Sequence, residues 1–353
     1  MRIQRLVTRG FRNLVDLEHE LPATGAAILG SNAQGKTNLL EAIYYPVLFR
    51  SFRGSPDQQV MRSQPGFHVE VHVAGPVARS VTATYVGRKK RITVDGAEAG
   101  RLSEVVGTWL AVAFQPADLG LASGPAVERR RYLDRVLSLS DRGYLTSLAR
   151  YRAALAQRNS ALRQDRLELA HAFAGVLATS GADLIRRRLS WVSGAAEQFA
   201  AEFECLGEVG GATLEYRGRS DLADPAAWAD ALDASLRDDR VRGLTTVGPH
   251  RDDLVLEIGG RMLRDYGSTG QQRSAAVALK LIEITALRDA RGTEPALLLD
   301  DVFAELDRER QTRLALRLLG PEERQVFVTS PRSDELPPNL GLPVWVVEGG
   351  RIK

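Results

Sequence analysis

Cysteine is almost absent from this chain, with Cys205 the only one among 353 residues. A single thiol cannot close an internal disulfide, and it leaves no cysteine-based metal site. Both absences suit a reducing compartment, where disulfides are rare. We therefore expect a cytosolic protein.

Long apolar runs are also missing. The opening stretch, MRIQRLVTRGFRNLVDL, has a charged start but no continuous apolar core of signal-peptide length. No segment approaches the roughly 18 apolar residues that a membrane span needs. Hydrophobic residues still make up 44% of the chain and charged residues 26%, as in globular proteins. We expect a soluble protein of two domains with a large core and no membrane partner.

An excess of one charge is missing as well. The 47 basic and 44 acidic residues give a net charge of +3, which is too small to predict a nucleic-acid partner. Basic residues nevertheless cluster at 88–91, 129–131 and 186–188. Each cluster could neutralise phosphates, or it could lie on a solvated helix face or hairpin tip, and the sequence leaves both open.

Lysine is scarce, with five of the 47 basic residues, so Lys36 inside a glycine-rich segment is informative. In AAILGSNAQGKTNLLEAIY, 26–44, an apolar run ends at Gly30, and Gly35, Lys36 and Thr37 precede a stretch of helical periodicity. This is the spacing of a P-loop. The glycines let backbone N–H groups point at phosphates, the lysine would reach the β and γ phosphates of ATP, and the hydroxyl would ligate Mg²⁺. The alternative is a chance glycine turn.

The whole loop is assigned to nucleotide binding. Its residues are Gly30, Ser31, Asn32, Ala33, Gln34, Gly35, Lys36, Thr37 and Asn38. Ala33 lies in the middle of the loop, and alanine strongly disfavours positive φ. We therefore expect Ala33 to adopt a conformation without positive φ.

A second candidate segment lies far downstream, in EPALLLDDVFAELD, 294–307. Four apolar residues end in Asp300 and Asp301, where a buried strand would emerge. Asp300 would hold the hydration shell of Mg²⁺, and Asp301 would orient or deprotonate the attacking water. The alternative is that the acids merely cap the following helix.

A third segment, 266–287, begins a strongly periodic helix with Ser268, Thr269, Gly270 and Gln271. Hydroxyls and free N–H groups at a helix start suit an anion, although an ordinary N-cap has the same composition. Because the P-loop already supplies one helix end, a second makes best sense if it acts on a nucleotide held by another subunit.

Histidines give weaker signals. His68 and His72 lie on one face of a strand, but two histidines without a third ligand are more often surface residues than a metal site. His250 lies in GPHRDD, and its residue type and position indicate no particular role.

The elements change character along the chain. Residues 1–116 are β-rich, with strands at 2–8, 14–20 and 25–29, an antiparallel meander over 67–96, and a buried strand in 108–116. Residues 117–241 are rich in alanine, leucine and arginine and predict helices at 128–166 and 167–204, without long heptads. From 254 onward strands alternate with helices, which predicts a buried parallel sheet.

Together these segments resemble a known family. The loop, STGQQ, the apolar strand ending in two aspartates and the following AELD, 304–307, resemble the ABC-type ATPase heads of transporters, SMC proteins and recombination ATPases. GKTN at the end of the loop, RLVTRGFRNL, ERRRYLD and TTVGPHRDDL are similar to the RecF family of bacterial DNA replication and repair proteins. The resemblance covers essentially the whole chain.

The resemblance implies an α/β fold, in which an ABC-type P-loop ATPase head with an antiparallel meander carries a mainly helical insertion. The head would comprise 1–117 and 246–353, and the insertion 118–245.

The resemblance also implies residue roles. Ser268 would be the signature serine that acts across a dimer, and Gln115, after the strand LAVAF, would be the glutamine that senses the γ-phosphate beside the metal; a polar residue at a strand end is the alternative. Asp301 stands where many ABC ATPases have glutamate, which implies slow hydrolysis. Thr329 or Ser330 replaces the switch histidine that many of these proteins carry.

The function implied is an ATP-controlled DNA clamp with weak, DNA-stimulated ATPase activity. ATP would join two heads, the homodimer would bind double-stranded DNA and junctions with single strands, and hydrolysis would release it. The implied partners are RecR and RecO, with RecA loading onto strands coated by single-strand binding protein. The alternatives are a transporter subunit, which should carry LSGGQ and a histidine switch, and an SMC-like structural clamp, which should carry long heptads.

Overall fold

The computed structural model describes residues 1–62, 65–75, 78–303, 308–319, 324–338 and 340–353. The AELD segment at 304–307 lies outside these residues. None of the helices in this described part of the chain is long and apolar enough to cross a membrane.

Strands in the described residues are, in chain order, β1 Arg2–Arg9, β2 Leu17–Glu20, β3 Gly25–Leu29, β4 Gly66–Ala74, β5 Arg79–Val86, β6 Lys89–Val94, β7 Ala97–Glu98, β8 Ala111–Phe114, β9 Ala212–Arg217, β10 Asp253–Ile258, β11 Arg261–Met262, β12 Ala296–Asp300, β13 Val326–Ser330, β14 Val344–Glu348 and β15 Arg351–Ile352. The α-helices are α1 Lys36–Leu48, α2 Asp57–Val60, α3 Leu102–Val105, α4 Gly120–Ser123, α5 Ala126–Ser140, α6 Arg142–Arg163, α7 Leu167–Ala172, α8 Ala174–Cys205, α9 Trp228–Arg242, α10 Leu263–Tyr266, α11 Thr269–Arg291 and α12 Arg308–Leu319.

One compact unit comprises 1–118 and 283–353. Its central sheet has the strand order β15-β14-β3-β13-β12-β8, and the five strands from β14 to β8 are parallel. Every residue of β8, β12 and β13 is buried, which is why these strands are apolar without alternation up to the polar residues that end β12 and β13. The predicted buried parallel sheet is confirmed.

The same unit contains an antiparallel sheet in the order β2-β1-β4-β5-β6-β7. Along β4, buried residues alternate with partly exposed ones, as the period of two in FHVEVHV predicts. The predicted meander is confirmed in β4, β5 and β6, which pair antiparallel in sequence order.

Residues 119–282 form a second compact unit. Its helices pack around a core that includes Tyr144, Leu177, Ile185 and Trp228. The sequence interpretation divided the chain at 245/246, whereas the unit ends at 282. Strand pairing keeps β10 in this unit, because β10 pairs with β9 over six positions and with β11.

Each of the two long helices that periodicity predicts is interrupted and forms two helices in the structure. The predicted helix at 128–166 is two helices, because the Asp141 carboxylate accepts hydrogen bonds from the N–H groups of Gly143 and Tyr144 and caps α6. The predicted helix at 167–204 is likewise divided at Phe173, between α7 and α8.

Candidate nucleotide-binding site

The loop between β3 and α1 depends on two glycines. Gly30 has φ 152° and Gly35 has φ 113°, both in the region that favours glycine. A Cβ atom at Gly30 would lie 2.3 Å from the Val347 carbonyl oxygen, and one at Gly35 would lie 3.0 Å from Asn13 Oδ1. Gly30 therefore needs glycine both for backbone conformation and for space, and Gly35 needs it for backbone conformation, as the P-loop spacing predicted.

Ala33 contradicts the sequence-based expectation. Its φ is 65°, so the expectation that this position avoids positive φ is wrong. The Asn13 amide holds the loop in this conformation by donating to the Ala33 carbonyl oxygen at 3.1 Å. A left-handed alanine costs roughly 1–2 kcal/mol, a strain that surrounding contacts hold in place at functional loops.

Lys36 folds back over this loop. Its ammonium donates to the carbonyl oxygens of Gly30 at 2.7 Å and Ser31 at 3.2 Å, and the residue is only 4% exposed. The charge is thereby held at the concave side of the loop, where phosphate oxygens could take the place of the carbonyls.

Hydroxyls connect the loop to the two aspartates. Thr37 Oγ1 donates to Asp300 Oδ1 at 2.8 Å, and Thr329 Oγ1 donates to the same oxygen at 2.9 Å. The Asp301 N–H donates to Thr329 Oγ1 at 3.0 Å. The sheet explains this meeting, because β12 and β13 are parallel neighbours and their carboxyl ends lie at one edge.

Burial shifts the acidity of both aspartates. Burial raises the pKa of Asp300, and the hydrogen bonds from Thr37 and Thr329 oppose the shift. Burial also raises the pKa of Asp301, and the nearby Lys36 ammonium opposes it. A carboxyl group with a raised pKa at a site edge is suited to accepting a proton.

A cavity of about 510 Å³ lies beside the loop. Its lining residues are Asn13, Asn32, Ala33, Gly35, Lys36, Thr37, Asn38, Arg53 and Asp301. The structure therefore brings most of the predicted loop together with Asp301. Gln34 has a different role, because its Oε1 accepts from the Gly349 N–H at 2.7 Å and braces the loop against the turn between β14 and β15.

Sequence reasoning missed two lining residues. Arg53 adds a second cation to the cavity and lies 3.8 Å from the buried Glu41 carboxylate. Asn13 accepts a hydrogen bond from the Asn38 side chain at 2.7 Å. Neither residue carries a spacing signal, and in an arginine-rich chain one more arginine does not stand out.

Gln115 lies at the expected edge of the sheet. It follows Phe114, which pairs with Leu299, so its backbone is level with Asp300. Its N–H donates to Asp118 Oδ2 at 2.8 Å, but Gln115 is not among the described residues that line the cavity. The structure thus places the residue at the site's edge without bringing it into the cavity.

The segment at 268–271 forms a reciprocal helix cap. The Ser268 N–H donates to Gln271 Oε1 at 3.0 Å, and the Gln271 N–H donates to Ser268 Oγ at 3.2 Å. Thr269 and Gly270 complete the first turn of α11, which contains no acidic residue. These four residues belong to the second unit and do not line the cavity.

The histidines are held by protein partners. His72 Nε2 and Glu70 Oε1 are 2.7 Å apart, and His68 Nδ1 and Thr84 Oγ1 are 3.0 Å apart. Within the described part of the chain, no group of three or more His, Cys, Asp or Glu side chains could hold a metal ion. His250, whose role the sequence left open, binds Tyr151 and Thr245 inside the helical unit.

The basic clusters are largely neutralised within the fold. Arg129 and Arg188 are buried, and they bind Asp253 and Asp134 with N–O distances of 2.8 Å and 2.7 Å. Further ion pairs in the three clusters are Arg91–Glu98, Lys90–Asp57, Arg131–Glu128, Arg186–Asp183 and Arg187–Asp141. These contacts favour a structural role for the two triple-arginine clusters.

The donor set fits a magnesium nucleotide. Thr37 and Asp300 offer hydroxyl and carboxylate oxygens, the ligand type that Mg²⁺ prefers, and too few of them to form a closed protein cage. Such a set leaves coordination positions for phosphate oxygens and water, which is how Mg²⁺ binds with nucleotides.

Comparison with known proteins identifies the family. No protein-family model matches the chain. The DNA replication and repair protein RecF of Salinibacter ruber is 36% identical over an alignment of 362 positions, gaps included, that covers 96% of this chain and 87% of that protein. The chain belongs to the RecF family. The RecF protein of Anaeromyxobacter sp. strain Fw109-5 is also 36% identical, over all of this chain and 99% of its own length.

Solved structures agree with the RecF assignment. A structure of the recombination mediator protein RecF with ATP, in the RecFOR pathway, matches with a TM-score of 0.88 and 30% identity, covering all of this chain and 97% of that one. An SMC head bound to the C-winged helix domain of ScpA matches with a TM-score of 0.57 at 16% identity, and this likeness concerns the fold alone. The predicted ABC-type ATPase fold and the resemblance to RecF are confirmed.

Proposed function

We propose that the protein is an ATP-dependent DNA-binding protein of recombinational repair, and that two copies of the chain enclose the ATP. The observation that carries this proposal is the pairing of Thr37 with Asp300 beside a loop closed over Lys36. These contacts join the phosphate-binding and metal-binding parts of one site. A RecF relative of known structure contains ATP, which supports ATP as the ligand.

Each residue has a defined task in this proposal. Lys36 exchanges the carbonyl oxygens of Gly30 and Ser31 for phosphate oxygens, and the loop N–H groups bind the same phosphates. Thr37 and Asp300 would hold Mg²⁺, which when bound neutralises negative charge on the phosphates. Asp301 orients or deprotonates the attacking water, and Gln115 approaches the γ-phosphate from the end of β8.

The proposed reaction is slow hydrolysis of ATP to ADP and phosphate. Aspartate is one methylene shorter than glutamate, so Asp301 would hold the water less closely than glutamate in other ABC ATPases. Slow hydrolysis suits a switch whose ATP-bound form must persist on DNA long enough to act.

The second half of the site is assigned to another copy of the chain. Ser268, Thr269, Gly270 and Gln271 form an exposed helix start without acidic residues, which suits a phosphate. Binding of this helix start to the nucleotide of a second copy would make dimerisation depend on ATP.

The repair role rests on the family. Its relatives are described as DNA replication and repair proteins, and a solved relative as a recombination mediator in the RecFOR pathway. We propose double-stranded DNA and its junctions with single strands as ligands. RecR and RecO would be partners, and RecA loading beside single-strand binding protein would be the outcome.

Two variants test the shared site. Lys36→Ala removes the phosphate contact, so ATP binding by the monomer and dimerisation should both be lost. Ser268→Arg places a bulky cation at the other half, so monomeric ATP binding should stay near wild type while dimerisation fails. ATP titration below the dimerisation concentration and sedimentation with ATP measure the two effects. Equal loss of ATP binding in both variants would refute the assignment of Ser268 to the second copy.

A further inference from the structure

The helical unit has exposed arginines that the fold does not neutralise. In contrast to the triple-arginine clusters, the side chains of Arg163, Arg237 and Arg242 make no hydrogen bond or ion pair with any residue that the structure describes. All three are exposed. Their charges are therefore available to a ligand.

These three arginines line one cavity of about 640 Å³, together with Arg240 and Asp165. The cavity lies where α6 and α9 end, so the arginines come from two helices distant in sequence. Gly243 ends α9 with φ 63°, and a Cβ atom there would lie 2.9 Å from Arg163 Cγ. A glycine at this position thus permits the end of α9 to approach Arg163 closely.

The charge of the cavity is one-sided. Four guanidinium groups surround a single carboxylate, Asp165, and Arg240 alone binds both of its oxygens at 2.6 Å and 2.8 Å. Arginines near helix C-termini also stabilise the helix dipole, often by bonding to the last carbonyl groups. Arg163 and Arg242 make no such bond in the described residues, so helix capping does not account for them.

We propose that this arginine cavity, formed by Arg163, Arg237, Arg240 and Arg242, binds the phosphodiester backbone of DNA. The planar guanidinium group matches phosphate with paired hydrogen bonds, and arginine is always charged. The proposal rests on the proposed function, which supplies DNA as the polyanion that the protein holds. It locates one DNA contact on the helical unit rather than at the triple-arginine clusters.

The test compares two double variants that each remove two positive charges. Arg237→Ala with Arg242→Ala changes the cavity, where neither side chain has a partner among the residues that the structure describes. Arg217→Ala with Arg219→Ala is the matched control, because these exposed arginines are paired with Glu257 and Asp221. Fluorescence anisotropy of a labelled duplex with a single-stranded end, with ATP and Mg²⁺ at several salt concentrations, measures binding.

The expected result is a change in salt dependence. Each lost phosphate contact reduces the magnitude of the slope of log affinity against log salt concentration by about 0.9. The slope of the cavity variant should therefore be smaller in magnitude than that of the wild type by about 2, while the control keeps the wild-type slope. ATP affinity in each variant reports that the fold is intact. An unchanged slope in the cavity variant, or an equal loss in the control, would overturn the proposal.

Two further arms identify the ligand. Sodium phosphate at ionic strength matched to sodium chloride should displace DNA no better than chloride; stronger displacement that the cavity variant abolishes would indicate a free-phosphate site instead.

Labelled polyglutamate should bind weakly, and binding equal to that of DNA and lost in the cavity variant would indicate an acidic protein partner. If the wild type fails to bind DNA in the presence of ATP, the proposed function fails. If the wild type binds DNA and the cavity variant binds it with the same salt dependence, only this inference fails.

Discussion

At the scale of single residues, one threonine hydroxyl connects both acids of the candidate site. Thr329 is 1% exposed, donates to Asp300 and accepts from the Asp301 N–H. It lies near the C-terminal end of β13. These hydrogen bonds hold the two acidic residues in a fixed relative position.

Replacing this hydroxyl should therefore slow hydrolysis. Thr329→Val keeps the shape but removes the hydrogen bonds, and loss of such supporting contacts typically costs about 10–100-fold in activity or metal affinity. Thr329→Ser should retain most of the activity. Steady-state kcat and the Mg²⁺ concentration for half activity are the measurements, and a valine variant as active as the serine variant would show that the hydroxyl has no such role.

His250 should make stability depend on pH. Its Nε2 donates to the Thr245 carbonyl at 2.9 Å, its Nδ1 accepts from the Tyr151 hydroxyl at 2.6 Å, and burial lowers its pKa to about 4. The unfolded chain titrates near pH 6.5 and so binds more protons between pH about 6.5 and 4. The contribution of His250 to the free energy of unfolding is therefore fully present above pH 6.5, and about 3 kcal/mol of it is lost as the pH falls to about 4.

The measurement is the free energy of urea unfolding at pH 7 and pH 4.5. Other groups also titrate in this range, so the comparison is with His250→Gln, which cannot take up the proton. The variant should lose about 2–3 kcal/mol less than wild type between the two pH values. Parallel pH profiles would show that His250 is not held neutral.

At the scale of elements, Arg188 ties α8 to α5 and α6. Its guanidinium donates to Asp134, Tyr144 and the Pro249 carbonyl at 2.7–2.9 Å. Arg188→Ala leaves the buried Asp134 charge with fewer partners and should cost about 3–5 kcal/mol. Arg186→Ala, on the exposed side of the same helix, should cost about 0–1 kcal/mol. Urea unfolding measures both, and equal small costs would contradict a structural role for the cluster.

Periodicity predicted most elements, and partners distant in sequence explain the misses. The sheet strands and the P-loop were found because alternation, buried runs and glycine spacing are local. The burial of Arg129 was not visible, because its partner Asp253 is 124 residues away. Likewise, β10 lies in the range that the resemblance assigns to the head, whereas its partner β9 lies in the helical unit.

The candidate site divides in the same way. The sequence alone indicates Lys36, Thr37 and Asp300, because each belongs to a motif that is recognised by its spacing or by the apolar run before it. Arg53 was not, because only the tertiary structure brings it to the cavity. Residue preference alone gives the wrong φ at Ala33, because the Asn13 contact that holds the turn forms only in the tertiary structure.

At the scale of the whole molecule, a net charge of +3 conceals an uneven distribution. Most arginines of the two triple-arginine clusters are bound in ion pairs, whereas three arginines in the arginine cavity have no ion-pair partner among the described residues. Counting basic residues along the chain would therefore select the wrong surface. Binding of DNA should depend on the assembled protein rather than on overall charge, and ATP should control that assembly.

Sedimentation velocity of the full chain with duplex DNA, with and without ATP and Mg²⁺, tests the central claim most directly. We expect a monomer without ATP and a dimer that sediments with DNA when ATP and Mg²⁺ are present, with Lys36→Ala remaining monomeric under both conditions. If ATP and Mg²⁺ change neither self-association nor DNA binding of the wild type, the ATP-controlled clamp is contradicted.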